Sequence, residues 1–175
     1  MRLLRHLLAI VSLPFVVTVV VPTLIVLSGD KVRIGWNLPS SLSWPPSLLG
    51  CLLAGLGVLL LYRTIALFAR VGEGTLAPWD PPQRLVVRGP YRYVRNPMIS
   101  GVLFVLLGEA VFLGSVSLLI WFLIFFALNA LIMPLIEEPT MEDRFGDDYV
   151  SYKRNVPRWI PRLKPWTPGQ TRGTR

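Results

Sequence analysis

The sequence predicts an all-α integral membrane protein with about four transmembrane helices, forming a single domain over residues 1–175. Hydrophobic residues make up 53% of the chain and charged residues only 16%. The apolar residues concentrate in four runs, and a helix that crosses a bilayer needs roughly 20 such residues. Each run could instead be a buried core helix of a soluble domain. The remaining polar sequence is too short to cover the surface of such a domain.

The first apolar run covers residues 7–27. Arg2 and Arg5 precede it, as in a secretory signal peptide. The run is longer than the apolar core of a signal peptide, however, and no small-x-small cleavage site follows it. We therefore expect a retained transmembrane helix, kinked at Pro14 and Pro22.

Three further runs cover residues 48–69, 98–113 and 116–136. Only Gly114 and Ser115 separate the last two runs, which predicts a tight antiparallel helical hairpin. The residues just before 98 and just after 136 should then lie side by side at one face of the membrane. The predicted hairpin thus brings together two stretches that are far apart in the sequence.

Polar sequence flanks the hairpin on both sides. Residues 72–97 form a loop too rich in Gly and Pro for a regular helix, yet containing aromatic and apolar residues that argue against disorder. Residues 137–175 form a tail in which 140–154 are expected to be a short helix, because Pro139 suits a first turn and Glu142 and Asp143 complement the helix dipole.

The formal net charge of the chain is +8. With an even number of spans, the N-terminus, the 72–97 loop and the tail share one side of the membrane and carry most Lys and Arg residues. The positive-inside rule assigns that side to the cytoplasm. We expect a multi-pass protein with both termini cytoplasmic, drawn to anionic lipid headgroups and not to nucleic acid, since no nucleic-acid motif accompanies the charge.

Several chemistries have little support in the composition. Cys51 is the single cysteine and His6 the single histidine. An internal disulfide is impossible, and neither a metal site nor a Cys–His nucleophile is expected. The oligomeric state is not indicated by any pattern in the sequence.

The residues at the hairpin ends suit a binding site. Glu137 and Glu138 can bond hydroxyl groups or offset a positive charge, although they also suit plain capping of the span in water. Tyr91 can stack on a heterocycle, or simply anchor the membrane interface. Arg95 and Asn96 place a cation and an amide just before a helix start whose amides favour a carboxylate, or Asn96 only caps that helix.

Taken together, these motifs resemble the isoprenylcysteine carboxyl methyltransferase family, which is itself similar to the phospholipid methyltransferases. The resemblance covers residues 72–161. Its pattern is an Arg-His-Pro loop, a membrane hairpin, a Glu-Glu pair, Phe-Gly-x-x-Tyr-x-x-Tyr and Val-Pro. The corresponding residues here are Arg95-Asn96-Pro97, Glu137-Glu138, Phe145-Gly146-Asp147-Asp148-Tyr149-Val150-Ser151-Tyr152 and Val156-Pro157.

The resemblance implies S-adenosylmethionine as the methyl donor and a lipophilic acceptor that enters from the bilayer, either an isoprenylcysteine-type carboxylate or a phospholipid amine. An amine acceptor must lose a proton, and the nearby candidates to take it are Glu138, which we select as the catalytic residue, or a tyrosine. The residues implied to bind the cofactor are Gln83, Arg84, Leu85, Val86, Tyr91, Asn96, Pro97, Met98, Ile99 and Glu137.

Two positions depart from the family pattern. Asn96 stands where the family usually has His, and an amide cannot titrate near neutral pH. Met133 stands where the eukaryotic carboxyl methyltransferases have a substrate-contacting Arg, which weakens the case for a prenylated carboxylate substrate. Two rival functions remain open: a non-catalytic membrane adaptor that keeps the fold, and a nicotinamide-dependent lipid reductase.

Overall fold

The computed structural model describes residues 13–39, 41–71 and 85–168. Within these ranges all regular secondary structure is helical, which confirms the all-α prediction. Short 3-10 turns lie at Ile34–Asn37 and Gly89–Arg92. The helices are α1 (Leu13–Leu27), α2 (Trp44–Val71), α3 (Pro97–Leu113), α4 (Val116–Phe145) and α5 (Asp147–Asn155).

Two of the helices are long and apolar enough to cross a membrane, namely Trp44–Leu67 within α2 and the whole of α4. Only 17% and 11% of their most apolar stretches are buried, so their side chains do not form the core of a soluble domain. Helices α1 and α3 are apolar but shorter, and residues 7–12 of the first predicted span lie outside the described residues. Four spans, with the last two as a membrane hairpin, stay a prediction.

Glycines hold α2 against α3. A Cβ atom on Gly57 would lie 2.6 Å from the carbonyl oxygen of Gly101, and one on Gly108 would lie 2.5 Å from the backbone nitrogen of Ala54. Gly50 in turn faces Phe112 and Gly108. Small residues let helix backbones approach this closely, as they do between helices in membranes. This contact fixes α3, and with it the loop that precedes it.

The connection from α3 to α4 is as short as the sequence predicted. Gly114 ends α3 with φ +58°, and the Ser115 hydroxyl accepts a hydrogen bond from the amide of Leu118 to begin α4. The hydroxyls of Ser115 and Ser117 also donate to the carboxylate of Asp30, in the loop after α1. These bonds lower the pKa of Asp30 and join the loop to the start of α4.

Helix α4 does not end at Ile136, where the sequence predicts the end of the last span. A π-helical turn at Met133–Glu137 carries the helix past the acidic pair to Phe145, and the amide of Glu138 bonds to the carbonyl oxygen of Met133. Two prolines flank this change of geometry, Pro134 inside the π turn and Pro139 just after it; neither has an N–H, and each ring crowds the carbonyl four residues earlier. A π turn accommodates this crowding without breaking the helix.

The helix expected over residues 140–154 is divided. Gly146 has φ +52° and ψ −134°, a conformation that is open essentially to glycine alone, and α5 begins immediately after it. Helix α5 therefore folds back, and the residues that follow it, here called the C-terminal segment (residues 156–168), return to the loop before α3.

Three backbone hydrogen bonds tie the C-terminal segment to that loop. They run from Arg95 N to Pro157 O, from Arg162 N to Tyr93 O and from Trp166 N to Arg92 O, each 2.9 Å long. A buried aromatic cluster supports the attachment and consists of Tyr149, Tyr152, Val156 and Trp166. The loop before α3 is thereby fixed between α2 on one side and the tail on the other.

Candidate functional site

A cavity of about 220 Å³ lies where the start of α3 meets the π turn of α4. Its walls come from α1, the loop before α3, α3, α4 and α5. The lining residues are Leu13, Leu85, Val86, Tyr91, Arg95, Asn96, Met98, Ile99, Met133, Glu137, Glu138, Met141, Phe145, Tyr149 and Tyr152. Apolar walls with a few charged groups are typical of small-molecule sites.

Most of the residues that the sequence singled out meet at this cavity. They are Leu85, Val86, Tyr91, Asn96, Met98, Ile99, Glu137 and Glu138. Pro97 is buried as the first residue of α3 but is not part of the cavity wall. Gln83 and Arg84 lie outside the described residues. The structure thus brings together two stretches separated by about forty residues.

Tyr91 is held in place from two sides. Its side chain packs with Met98, Leu61 and Ile65, and its carbonyl oxygen accepts a 2.7 Å hydrogen bond from the hydroxyl of Tyr152. Burial, together with the nearby Glu137 carboxylate, raises the pKa of Tyr91 far above its usual value, so the phenol stays neutral. Tyr91 therefore offers the cavity a fixed, uncharged aromatic surface.

Glu138 is the centre of an ion-pair cluster. Its buried carboxylate contacts Arg95 at 2.9 Å, Arg158 at 2.6 Å and Lys153 at 3.1 Å. These cations come from the loop before α3, the C-terminal segment and α5. The cluster joins three parts of the chain at the base of the cavity, so Glu138 has a structural role. The residues next to Glu138 in the sequence do not indicate this role.

Glu137 differs from Glu138 in its exposure and in its contacts. Its side chain lines the cavity near Tyr91 and makes no hydrogen bond or ion pair with any residue in the described part of the chain. Adjacent helical residues point about 100° apart, so one carboxylate reaches the ion-pair cluster while the other faces the cavity. The Glu-Glu pair is thus divided into a fixed and an available carboxylate.

The two departures from the family pattern contact each other. The side-chain amide of Asn96 donates a hydrogen bond to the sulfur of Met133 across the cavity wall. The same amide makes no capping hydrogen bond to α3, so the simple capping interpretation of Asn96 is wrong. An uncharged pair therefore occupies this part of the wall.

Seven further lining residues were not among the predicted site residues, namely Leu13, Arg95, Met133, Met141, Phe145, Tyr149 and Tyr152. Three of them belong to the Phe-Gly-x-x-Tyr-x-x-Tyr motif. Tyr149 and Tyr152 are three residues apart, a spacing that places both on one face of a helix. That spacing was the available signal, but only the fold shows that the face is turned toward the cavity.

A larger cavity, of about 560 Å³, lies at the other end of α3 and α4. It includes Asp30, Lys31, Arg33 and Trp36, and none of the residues of the sequence motifs. Asp30 there is engaged by Ser115 and Ser117. We assign the functional site to the smaller cavity because its walls carry the available carboxylate, the fixed aromatic surface and the helix start.

Comparison with known proteins identifies the family. Residues 46–148, more than half of the chain, match the sequence model described as phospholipid methyltransferase. The chain belongs to the phospholipid methyltransferase family. The match includes nearly all of α2, the whole of α3 and α4, and both sequence stretches that meet at the cavity. It bears out the resemblance drawn from the motifs. No curated protein matches the chain significantly.

Membership in this family explains why the chain has long, apolar and mostly unburied helices. Phospholipid methyltransferases act on lipid, and two helices of this chain are long, apolar and mostly unburied. The protein is accordingly a membrane protein of a methyltransferase family, with its candidate site at one end of the apolar helices.

Proposed function

We propose that this protein is a membrane methyltransferase that transfers the methyl group of S-adenosylmethionine to a lipophilic acceptor. The observation that carries the proposal is the meeting of eight sequence-predicted residues on the wall of one cavity, at the end of two apolar helices, in a chain of the phospholipid methyltransferase family. A polar cofactor and an apolar acceptor can meet at such a position.

The residues present fit this cofactor. Tyr91 offers an aromatic face to a heterocycle, and Glu137 offers a carboxylate without a partner among the described residues. Arg95 has a buried N–H group with no partner there. The described cavity is smaller than the roughly 300–1,000 Å³ of a typical ligand pocket. The predicted contacts Gln83 and Arg84 lie outside the described residues.

The chain itself contributes binding and alignment. When bound, S-adenosylmethionine supplies a methyl group activated by its sulfonium centre. Tyr91, Met98 and Ile99 orient the ligand from one side, and Glu137 from the other. Alignment of two reactants is worth on the order of 7–11 kcal/mol in well-oriented model systems. The absence of a titratable group at Asn96 is compatible with this chemistry, because alignment does not require proton transfer there.

We favour a phospholipid amine as the acceptor, in line with the family description and with the uncharged Met133 on the wall. An amine has to lose a proton. Glu137 is the better-placed acceptor for that proton, since three cations hold Glu138 in its charged form. Glu138, first predicted as the catalytic residue, is then a positioning residue.

The same proposal includes the membrane topology. Helices α1 to α4 cross the membrane, α3 and α4 form a hairpin within it, and the cavity opens toward the cytoplasm together with both termini. The distribution of Lys and Arg supports this orientation.

Calorimetric titration of the detergent-purified protein tests the cofactor. We expect saturable binding of S-adenosylmethionine and no binding of NADPH. Tyr91→Ala should abolish the signal, because it removes the aromatic face from the cavity. Tyr93→Ala is the matched control: Tyr93 is two residues away and does not line the cavity.

The other outcomes are informative. Binding of NADPH alone would identify a reductase, and binding of neither by folded protein would favour a non-catalytic adaptor. Equal losses of S-adenosylmethionine binding in the two tyrosine variants would show that the cavity is not the binding site.

A further inference from the structure

The C-terminal segment carries the two most exposed large apolar side chains in the described part of the chain. Leu163 is 100% exposed and Ile160 is 79% exposed, more than any such side chain on the apolar helices. The segment has no regular secondary structure that would require apolar residues at these positions. Apolar side chains that a fold leaves together on its surface mark a place where another surface binds.

Trp159, next to Ile160, shows which surface this is. Its ring packs against the ring of Phe126 in α4, with 5.7 Å between the centroids. Phe126 precedes Met133, which contacts the start of α3, by seven residues. At a rise of about 1.5 Å per residue this separation is about 10 Å along α4. Trp159 therefore reaches beyond the cavity to the level of the apolar stretch of α4.

The surface of α4 at this level is apolar and exposed. Leu131 is 60% exposed, Leu135 71% and Ile136 61%, within the helix that is long and apolar enough to cross a membrane. The apolar side chains of the C-terminal segment thus continue the surface that α4 presents to lipid. The same lipid leaflet can cover both.

The backbone of the segment is held just outside that level. The carbonyl oxygen of Pro157 accepts from Arg95 N, and Arg162 N donates to Tyr93 O. Residues 158–161 form a short irregular loop between these two bonds. Irregular backbone exposed to lipid does not occur in the hydrocarbon region, so the loop belongs at the headgroup level with only its side chains immersed. Tryptophan favours this position.

The charges of the segment suit an anionic lipid surface. Residues 156–168 include Arg158, Arg162 and Lys164 and contain neither Asp nor Glu. Arg158 is paired with Glu138 at 2.6 Å, which leaves the charges of Arg162 and Lys164 uncompensated within the segment. Basic residues beside immersed apolar side chains are attracted to anionic headgroups.

We propose that the C-terminal segment is an interfacial anchor. Trp159, Ile160 and Leu163 insert into the lipid leaflet on the cavity's side of the membrane, and Arg162 and Lys164 contact its anionic headgroups. The sequence had placed this segment in a tail outside the membrane. The inference concerns only the membrane, and it requires neither the cofactor nor the reaction of the proposed function.

The anchor has a consequence for the cavity. Arg158, the residue before Trp159, bonds to Glu138 at the base of the cavity. Insertion of Trp159 thereby fixes the ion-pair cluster, and with it the cavity, close to the headgroup level of that leaflet.

Spin labels measure the depth of the segment. Leu163→Cys and Ser151→Cys, each in a Cys51→Ala background, are labelled with a nitroxide in nanodiscs of phosphatidylcholine and phosphatidylglycerol. Both positions are exposed, so a label fits without disturbing the fold. Oxygen concentrates in the leaflet and a polar nickel chelate in water. We expect the ratio of oxygen to chelate collision rates to be about fivefold or more higher at residue 163 than at residue 151, which is the control in α5.

Either of two results would overturn the inference. Equal ratios at the two positions would place the C-terminal segment in water. Low collision rates with both reagents at residue 163 would show that protein, such as a second copy of the chain, covers it.

Two further changes test what holds the anchor in place. Trp159→Ala should lower the ratio at residue 163, because it removes the ring that reaches α4. Trp44→Ala is the matched control and should leave the ratio unchanged, since Trp44 is an exposed tryptophan at the start of α2. Nanodiscs of phosphatidylcholine alone should also lower the ratio, because they lack the anionic headgroups.

Thermal unfolding in detergent establishes that each variant is folded. A ratio at residue 163 that neither Trp159→Ala nor the loss of anionic lipid lowers would contradict anchoring through Trp159 and the two cations.

Discussion

At the scale of single residues, the Glu-Glu pair separates two roles in two adjacent positions. Glu138 is buried and contacts three cations, whereas Glu137 lines the cavity without a partner among the described residues. The sequence identified the pair, but it contains no signal for which of the two carboxylates the cations contact.

Substitution of each glutamate by glutamine should therefore give opposite results. In Glu138→Gln the cations lose their counter-charge, and we expect a loss of stability of about 2–4 kcal/mol, less than for a fully buried pair because Lys153 and Arg158 are partly exposed. In Glu137→Gln we expect stability within about 0.5 kcal/mol of wild type, with most methyl transfer lost.

Thermal unfolding in detergent and a methyl-transfer assay with phosphatidylethanolamine measure the two effects. Because the variants make the same chemical change at neighbouring positions, each serves as the control for the other. Similar losses of stability in both would contradict the division of roles.

At the scale of helices, the site depends on how closely α2 and α3 approach. Gly57 contacts Gly101 and Val105 on α3, and Gly108 contacts Ala54 on α2. Gly50 and Gly57 are seven residues apart, as are Gly101 and Gly108, so each pair lies on one face of its helix. This spacing was present in the sequence, but the apolar runs alone do not indicate which faces meet.

Gly57→Val should destabilise the protein by about 1–3 kcal/mol or more, since its Cβ would lie 2.6 Å from the carbonyl oxygen of Gly101. Gly55→Val is the matched control, because no atom lies within 4 Å of a Cβ atom at that position. Both variants make the same change in the same helix. Equal midpoints of thermal unfolding would show that the α2–α3 contact is not tight.

The two helix boundaries that differ from expectation share a cause. Proline and glycine indicate where a helix is stressed but not how the chain responds. At Pro134 and Pro139 a π turn accommodates the prolines and α4 continues, whereas at Gly146 the backbone leaves the helical region and α5 begins. The choice depends on the packing of the residues that follow.

At the scale of the whole molecule, the orientation in the membrane decides which solvent reaches the site. Single cysteines can measure it in a Cys51→Ala background, because Cys51 is the only cysteine. We compare Ser41→Cys, before α2, with Ser151→Cys, in α5; both serines are exposed. With both termini cytoplasmic, a membrane-impermeant maleimide should label only the Ser41→Cys variant in intact spheroplasts of the expression host.

Permeabilised spheroplasts are the control, in which both variants should react. Labelling of Ser151→Cys alone in intact spheroplasts would reverse the orientation. Labelling of both would show that α2 to α4 do not cross the membrane an odd number of times. The result bears directly on the proposed function, since S-adenosylmethionine must enter from the cytoplasmic side.

The sequence by itself determined the helical class, the apolar helices, the tight α3–α4 connection and the family. All of these depend on the length and character of continuous stretches or on ordered motifs, and such information is local. It also identified most of the cavity wall, because the two motifs flank one short connection and must therefore lie near each other.

Only the tertiary structure decided which charges pair and which remain available. Arg95 and Glu138 are 43 positions apart, yet they form a 2.9 Å ion pair. Tyr152 reaches Tyr91 across 61 positions. Such contacts depend on the π turn, the break at Gly146 and the return of the C-terminal segment. The side chains of Glu137 and Glu138 point about 100° apart on the helix, and this difference in direction makes one carboxylate fixed and the other available. Two identical residues in sequence do not indicate which direction each one takes.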